Sequence, residues 1–447
     1  MSNGHSIFLV LLLLVAMVGC SGLPYSIENG NPPGTPSDEI ISTSTSSNIP
    51  VVDVTSTPTL PEVVGNKTQT TSGQTLRLWL PPEYDPHINK DSNMILNARL
   101  QEFQAANPNL KLEIRVKALE GPGGMIDSLV ATSAAAPSDL PDLVLLPRTI
   151  LESAALKGLL FPYDGLTNIM NDQSWFEYAL QLAHLKTSTF GIPFAGDVML
   201  LAHSTELRTT PLSFNEMLSN RETLLYPAAD PQALFNLGMY LAEGGKLQDE
   251  QGRPALEATP LTNILNYVEQ ARLSEVMPYT LTQFSDDAQV WEALLGGQYP
   301  MAITWASTYL RGTGAGQISL AIAPLPTPDG TPFTLATGWS WALAGQDPAR
   351  RPSAVKLAEY LVEKEFLARW TQAAGYLPPR VDSLQGWQAA ETRQVIEQLS
   401  YSAWLLPSAD LLTSIGPALQ TAVVNVLEGR QDPQAAAQSA IHQVNQP

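Results

Sequence analysis

The chain has 447 residues, room for two or three domains, and 44% of them are apolar, enough for a sizeable core. With 43 acidic against 24 basic side chains the formal net charge is −19, which argues against nucleic acid, an anionic lipid surface or a polyanionic substrate as the main partner. One cysteine and five scattered histidines exclude an intramolecular disulfide framework, a cysteine-rich zinc or iron–sulfur site and a histidine metal cage. No cofactor is expected.

Ile7 to Val18 is an unbroken apolar run, too short to span a bilayer but suited to the core of a signal peptide. It ends in Met17-Val18-Gly19-Cys20-Ser21, and this lone cysteine after small or apolar residues resembles the lipobox of bacterial lipoproteins. That resemblance implies a signal over 1–19, a diacylated Cys20 at the new amino terminus, and a chain held at the bacterial envelope outside the cytoplasm. Stable anchoring usually takes two acyl chains. The leader departs from pattern in one respect: Met1 to Ser6 carries no Lys or Arg. From Cys20 to Gln74 the composition shifts to Ser, Thr and Pro, with Ser42 to Ser47 as its densest hydroxyl run. Such a stretch buries too little apolar surface to offset its ordering entropy and reads as a disordered linker. Asn66-Lys67-Thr68 spells a glycosylation sequon within it.

The body starts at Thr75. Leu76, Leu78 and Leu80 alternate with Arg77 and Trp79 and predict a strand stopped by Pro81-Pro82. A helix presenting Leu96, Leu100 and Phe103 ends at Asn107-Pro108. Leu110, Leu112, Ile114 and Val116 predict a half-buried strand. After the Gly121-Pro122-Gly123-Gly124 turn comes a helix with Met125, Leu129 and Thr132 on its face. Leu143 to Leu146 is a continuous apolar run, suited to a parallel strand covered on both faces. A helix over Ile150 to Lys157 is closed by Gly158. Alternating strands and helices imply βαβ units and a mostly parallel sheet.

Further along, Ser285 is placed to cap a helix through Val290, Trp291 and Leu294. Tyr299 to Trp305 and Ile318 to Ala323 read as strands. Ser353 opens a long amphipathic helix through Leu357 and Leu361 towards Trp370. Asp432-Pro433 opens the terminal helix. No fixed-period repeat is present.

The order of these segments resembles the extracellular solute-binding proteins of ABC importers, family 1, the maltose-binding-protein-like group. The likeness covers nearly all of Thr75 to Gln446 and rests on succession rather than on one motif. Phe103 to Leu110 is similar to the family's F-x-x-x-x-P-x-I/V step, and Pro141-Asp142-Leu143-Val144 to its P-D-V-V strand. Leu156 to Asp164 resembles A-x-x-G-x-L-x-P-L-D, and Phe190-Gly191-Ile192-Pro193 resembles Y-G-I-P. Phe214 to Met217 matches T-W-D-E-L loosely. Trp291 to Trp305 resembles W-x-x-F-x-x-G-x-x-A-M-x-I-x-W, Gly375 to Arg380 resembles G-x-L-P-x-R, and Val426 to Gly429 with Gln434 to Ala436 resembles the closing helix pair.

The resemblance implies an α/β fold of the periplasmic-binding-protein type II kind, with two discontinuous lobes, a hinge and a central ligand cleft. Lobe one would be 75–193 with a return over 327–376; lobe two would be 194–326 with the carboxyl-terminal 377–447. It also implies a binding protein rather than an enzyme, acting as a monomer. Its partners would be a small solute, most readily a mono- or oligosaccharide, and the permease subunits of the importer, with the membrane reached through the lipid. A P-loop is absent, so the energy of transport would come from a separate ATPase.

Sugar recognition wants flat aromatic rings with a few carboxylates, amides and arginines, set at strand ends. Trp305 ends a strand, and the resemblance puts that position in the cleft. Trp339 and Trp341 share one face of the Gly338-Trp339-Ser340-Trp341 segment, Trp339 beside the family's cleft turn. Glu83 and Tyr84 follow the first strand. Arg148 follows the buried strand and offers a planar fork, unless it is a solvated surface arginine. Asp197 lies just past the first crossing as a ligand acceptor. Tyr376 and Arg380 flank the last crossing, Arg380 serving either the ligand or a hinge clamp through a carboxylate. Trp79 is placed in core or cleft. Trp175, Trp291, Trp370, Trp387 and Trp404 are assigned to helix packing.

Other classes remain. Gly338-Trp339-Ser340-Trp341-Ala342 nearly spells a nucleophile elbow, with Asp382 or Asp410 and His442 in the required order. A glycoside hydrolase needs only two carboxylates at suitable spacing. A surface sensor or adhesion lipoprotein could keep the same fold without transport.

Overall fold

Alternating and unbroken apolar runs become the strands of a computed structural model, which describes residues 73–207, 209–312 and 319–445. The signal segment, Cys20, the sequon at Asn66 and nearly all of the linker lie outside the described residues. The strands are β1 (Gln74–Leu80), β2 (Leu110–Val116), β3 (Leu143–Pro147), β4 (His184–Leu185), β5 (Ser188–Thr189) and β6 (Ile192–Ser204). They continue with β7 (Leu224–Leu225), β8 (Met301–Trp305), β9 (Leu320–Ala323), β10 (Thr334–Leu343) and β11 (Ala403–Leu405).

The period of two in β1 and the apolar run in β3 serve two cores at once. Leu76, Leu78, Leu80, Leu143 and Leu145 enter the main core, while Trp79, Val144 and Leu146 enter a smaller cluster with Met125, Leu129 and Leu151 on the helices that follow. Successive side chains point to opposite faces, so a strand buried on both sides must be apolar throughout. Trp79 is thereby a core residue, with the Lys117 ammonium 5.1 Å from its ring.

Nine strands join in the order β2-β1-β3-β10-β6-β8-β7, with β11 on β10 and β9 on β6; β4 and β5 form a separate pair. The sheet is mixed, not mostly parallel. β1 runs parallel to β2 and β3, β7 to β8 and β11 to β10. Every contact of β6, and that of β10 with β3, is antiparallel. The reason is that β6 and β10 are long and run through both halves of the sheet. The first part of β6, Ile192 to Val198, pairs with β10, and Met199 to Ser204 pairs with β8 and β9. Likewise Trp339 to Leu343 of β10 pairs with β3, whereas Thr334 to Ala336 pairs with β11.

At the crossing Gly338 stands opposite Gly196. A Cβ on Gly196 would lie 2.0 Å from the Tyr178 hydroxyl, and one on Gly338 would lie 2.3 Å from the Ala195 carbonyl. Close approach of backbone and ring, not turn geometry, requires glycine here. Gly196 also exchanges two backbone hydrogen bonds with Leu377, at 2.7 and 2.9 Å, which ties a third segment to the same point.

Three local expectations change. The helix expected to run on from Ser353 is two helices, Arg351–Tyr360 and Lys364–Ala374, because Glu363 is extended and opens the second one. Leu361 and Val362 are buried in the break, so the apolar periodicity runs on although the helix does not. The cap at 285 moves one residue on: Asp286 accepts from the Gln289 amide and opens Asp287–Leu295. Trp404 lies on β11 and is 60% exposed, not packed between helices. Among the described residues no helix is long and apolar enough to cross a membrane.

Candidate functional site

Parallel strands deliver their loops at their carboxyl ends, and ligands of open α/β sheets bind there. The segment after β1 bends through Pro81-Pro82 into Glu83 and Tyr84. Asn93, in the first turn of helix Asp91–Ala106, holds that bend by donating to the carbonyls of Glu83 at 3.0 Å and Asp85 at 2.8 Å. From another direction helix Lys364–Ala374 ends on Gly375 in the left-handed conformation, which turns Tyr376 back over Tyr84. The two tyrosine rings stack with an interplanar angle of 7° and centroids 6.2 Å apart. Trp370 lies nearly parallel to Tyr84 at 5.8 Å, and Trp339 meets Tyr84 edge-on at 4.9 Å.

Polar groups close this aromatic wall. The Tyr376 hydroxyl donates towards both Glu83 oxygens at 3.4 Å. The Arg311 guanidinium lies over the Tyr376 ring, 4.1 Å from its centroid, and its Nε donates to the Ala374 carbonyl at 3.0 Å. Burial raises the Glu83 pKa, although Arg311, the Tyr376 hydrogen bond and Lys90 pull it down. For Arg311 burial opposes the charge, but Tyr376, Glu83 and Tyr84 outweigh it and raise the pKa. Glu83, Lys90, Asn93, Arg311, Trp370 and Tyr376 line the resulting recess of about 330 Å³.

A second recess, of about 530 Å³, lies at the carboxyl ends of β7 and β8. Trp305, Phe235 and Met199 supply apolar walls, and Asp230, Asp286 and Asp287 supply carboxylates. Asp287 accepts hydrogen bonds from the hydroxyls of Thr304 and Thr308, and burial raises its pKa against those bonds. Helix Ala306–Gly312 links the two recesses: it starts directly after Trp305 and carries Arg311 near its end.

Of the eight residues singled out in the sequence, Glu83, Tyr84 and Tyr376 line the first recess, Trp339 joins them only through its edge-on contact with Tyr84, and Trp305 lines the second. The other three make their polar contacts elsewhere in the scaffold. Arg148 donates to the carbonyls of Leu182 at 3.0 Å and His184 at 2.8 Å, and burial lowers its pKa. Arg380 is paired with Asp172 and, at 3.3 Å, with Asp382, and its guanidinium lies 4.8 Å from the Trp175 ring centroid; of its two readings this geometry suits the clamp. Asp197 is 8% exposed, and its oxygens accept from the backbone amides of Val198 and Ser307 and from the Ser307 hydroxyl at 2.5 Å. It therefore anchors the start of helix Ala306–Gly312. Ser340 sits in the middle of β10 and is buried, whereas a nucleophile elbow needs a strand-to-helix turn. The serine hydrolase reading fails on that geometry.

Sequence reasoning missed Arg311, which follows no motif. It gave Trp370 to helix packing alone and Asp286 and Asp287 to the helix start. A positional signal existed for Trp370, which lies just before the predicted last crossing at Tyr376, but not for Asp286 and Asp287.

Residues 98–395, well over half of the chain, match the family model described as bacterial extracellular solute-binding protein. No curated protein matches the sequence. Solved structures share the fold. The sugar-binding protein MalE of the phytopathogen Xanthomonas citri is 20% identical, with 83% of this chain and 96% of that one aligned at a TM-score of 0.68. The maltose-binding protein MalE of Listeria monocytogenes, in complex with maltose, is 15% identical over 83% and 97%, also at 0.68. A solute-binding protein of an ABC transporter from Thermotoga lettingae, bound with α-D-tagatose, is 21% identical over 83% and 99% at 0.62.

Proposed function

The chain belongs to the bacterial extracellular solute-binding proteins, and on that premise we propose that it captures a mono- or oligosaccharide between two lobes and passes it to the permease of an ABC importer. The observation that carries this reading is the aromatic recess of Tyr84, Trp370 and Tyr376, backed by Trp339 against Tyr84, with Glu83 and Arg311 at its polar edge. Rings offer a flat apolar face to sugar C–H groups, and the charged groups offer acceptors and donors to hydroxyls. Trp305 and the three aspartates of the second recess would face the same solute from the other lobe.

In this reading one lobe is built on β1 to β3 and the other on β7 to β9, and the lobes pivot about β6, β10 and the Leu377 segment. The strand pairing supports changing lobe near Asp197 and near Thr337 to Gly338, the latter later in the chain than 327. Thr327 itself hydrogen-bonds Leu212 and Phe214, which belong with the second lobe. Arg148, Asp197 and Arg380 then serve as fixing residues of the scaffold. The leader and Cys20 would make the protein a monomeric lipoprotein of the cell envelope, with the linker as its tether. The solute would favour the closed form, and the permease would read that form.

A thermal-shift screen against sugars, polyols, amines and sugar phosphates tests the proposal. A sugar at 100 times its dissociation constant should add about 2.7 kcal/mol to the stability of the folded state. A dose-dependent rise with one sugar class is the expected result. If a cooperatively unfolding preparation responds to none of them, sugar capture is wrong and a sensor or adhesion role takes its place.

A further inference from the structure

Arg311 covers the ring that a sugar would need. Its guanidinium lies over Tyr376 at the recess, and its Nε is bonded to the Ala374 carbonyl. The two partners belong to different halves of the sheet. Helix Ala306–Gly312, which carries Arg311, continues β8 and is anchored to β6 through Asp197 and Ser307. Ala374 and Tyr376 end a helix that packs against Asp91–Ala106, the helix following β1. Arg311 therefore reaches across the divide and closes on a backbone carbonyl and an aromatic face.

The opposing surface is shaped to receive it. A Cβ on Gly375 would lie 2.5 Å from Cγ of Arg311, so the glycine that turns the chain into Tyr376 also leaves room for the arginine stem. The far side of Tyr376 is tied down as well, since its hydroxyl bonds Glu83 on the β1 loop. Arg311 as a whole stays exposed, so the cation over the tyrosine face is of the weaker kind, and the charge-assisted bond to the buried Ala374 carbonyl is the stronger of the two contacts.

We propose that Arg311 is a built-in occupant of the cleft, a latch that holds the two halves together when no solute is bound. This inference rests on the two-lobed reading above. A solute must displace the guanidinium from Tyr376 before a sugar ring can stack there. Its measured affinity is thus reduced by the work of releasing the latch.

The test needs no solute. Spin labels are placed at Val130→Cys and Leu273→Cys, exposed positions in the first and second halves, in the full chain carrying Cys20→Ser. Pulsed electron-electron resonance then measures their separation. With Arg311 intact one narrow distance is expected. Arg311→Ala should add a second population, the open fraction rising about tenfold. A label pair within one half, Val130→Cys with Leu156→Cys, should keep its distance and so separate opening from unfolding. Superimposable distributions with and without Arg311 overturn the latch. If Arg311→Ala does not fold, Arg311→Lys carries the same test, because it keeps the charge but loses both the planar stack and the Nε donor. Failure of sugar binding is read separately in the thermal-shift screen and leaves this measurement unaffected.

Discussion

Asp197 shows how a buried carboxylate can be bound into the scaffold rather than offered to a ligand. Its pKa is raised to about 7, chiefly because burial penalises the charge, while the hydrogen bonds from Ser307 pull the other way. In the unfolded chain the same group titrates near pH 4. Between about pH 4 and 7 the folded state thus holds a proton that the unfolded state has released. The stability contributed by Asp197 is full below that window and is lost as pH rises through 7. Asp197→Asn cannot ionise and keeps an acceptor for the Ser307 amide. Its melting temperature relative to the parent should therefore climb as pH goes from about 4 to 8; a constant difference would refute the assignment. Asp197→Ala strands that amide and should cost about 1–3 kcal/mol near pH 4, a cost that shrinks as pH rises and the parent loses the contribution of its own carboxyl. Trp305 is only half-buried, so Trp305→Ala should leave the melting transition nearly unchanged while weakening solute binding about tenfold or more by titration calorimetry. Unchanged affinity would remove Trp305 from the site. At this scale position at an element end was a partial guide. Glu83, Tyr84 and Tyr376 gather, whereas Arg148, also at a strand end, and Arg380, also at the last crossing, meet carbonyls and carboxylates that no local pattern announces.

Among the elements, β6 and β10 decide the architecture. Their sequences read as ordinary apolar segments, and a one-dimensional pattern carries no sign that each runs through both halves of the sheet in succession. That is why strands such as β1, β2 and β3 were legible almost to the residue while the mixed sheet was not. The break between Arg351–Tyr360 and Lys364–Ala374 was hidden for a related reason: Leu361 and Val362 are buried, and burial keeps the apolar rhythm whether or not the helix is continuous. The crossing itself depends on its paired glycines. Gly196→Ala must displace the Tyr178 ring from the centre of the hinge and should lower stability by about 1–3 kcal/mol, read as a reduced urea midpoint at constant slope. A neutral result would mean that Tyr178 can move aside and that the crossing is less tightly packed than its geometry implies.

For the whole molecule, the described residues, from Gly73 on, fall within one compact unit. A variant beginning at Gly73 should therefore melt within about 2 °C of the full chain by calorimetry, since a Ser/Thr/Pro tether adds no core. A larger loss would show that the tether packs on the body. The succession of segments pointed to the fold before any coordinate, because a family's order of elements survives when identity has fallen to 20% or less against similar structures. The identity of the solute did not survive in the same way. Side chains such as Glu83, Arg311 and Tyr376 meet from distant parts of the chain, and no local pattern announces that meeting.

The strands at the centre of the sheet have a consequence in time. Tyr163 bonds the Trp341 carbonyl across 178 residues of sequence, and β3 finds its partner β10 only about three-quarters of the way through synthesis. Non-local pairings of this kind close slowly. Until β10 emerges, β3 and β6 lack their shared neighbour, and the nascent chain stays open. For a protein whose family works outside the cell, that delay is an asset. A polypeptide whose central sheet closes late stays threadable for longer, and that suits such a family.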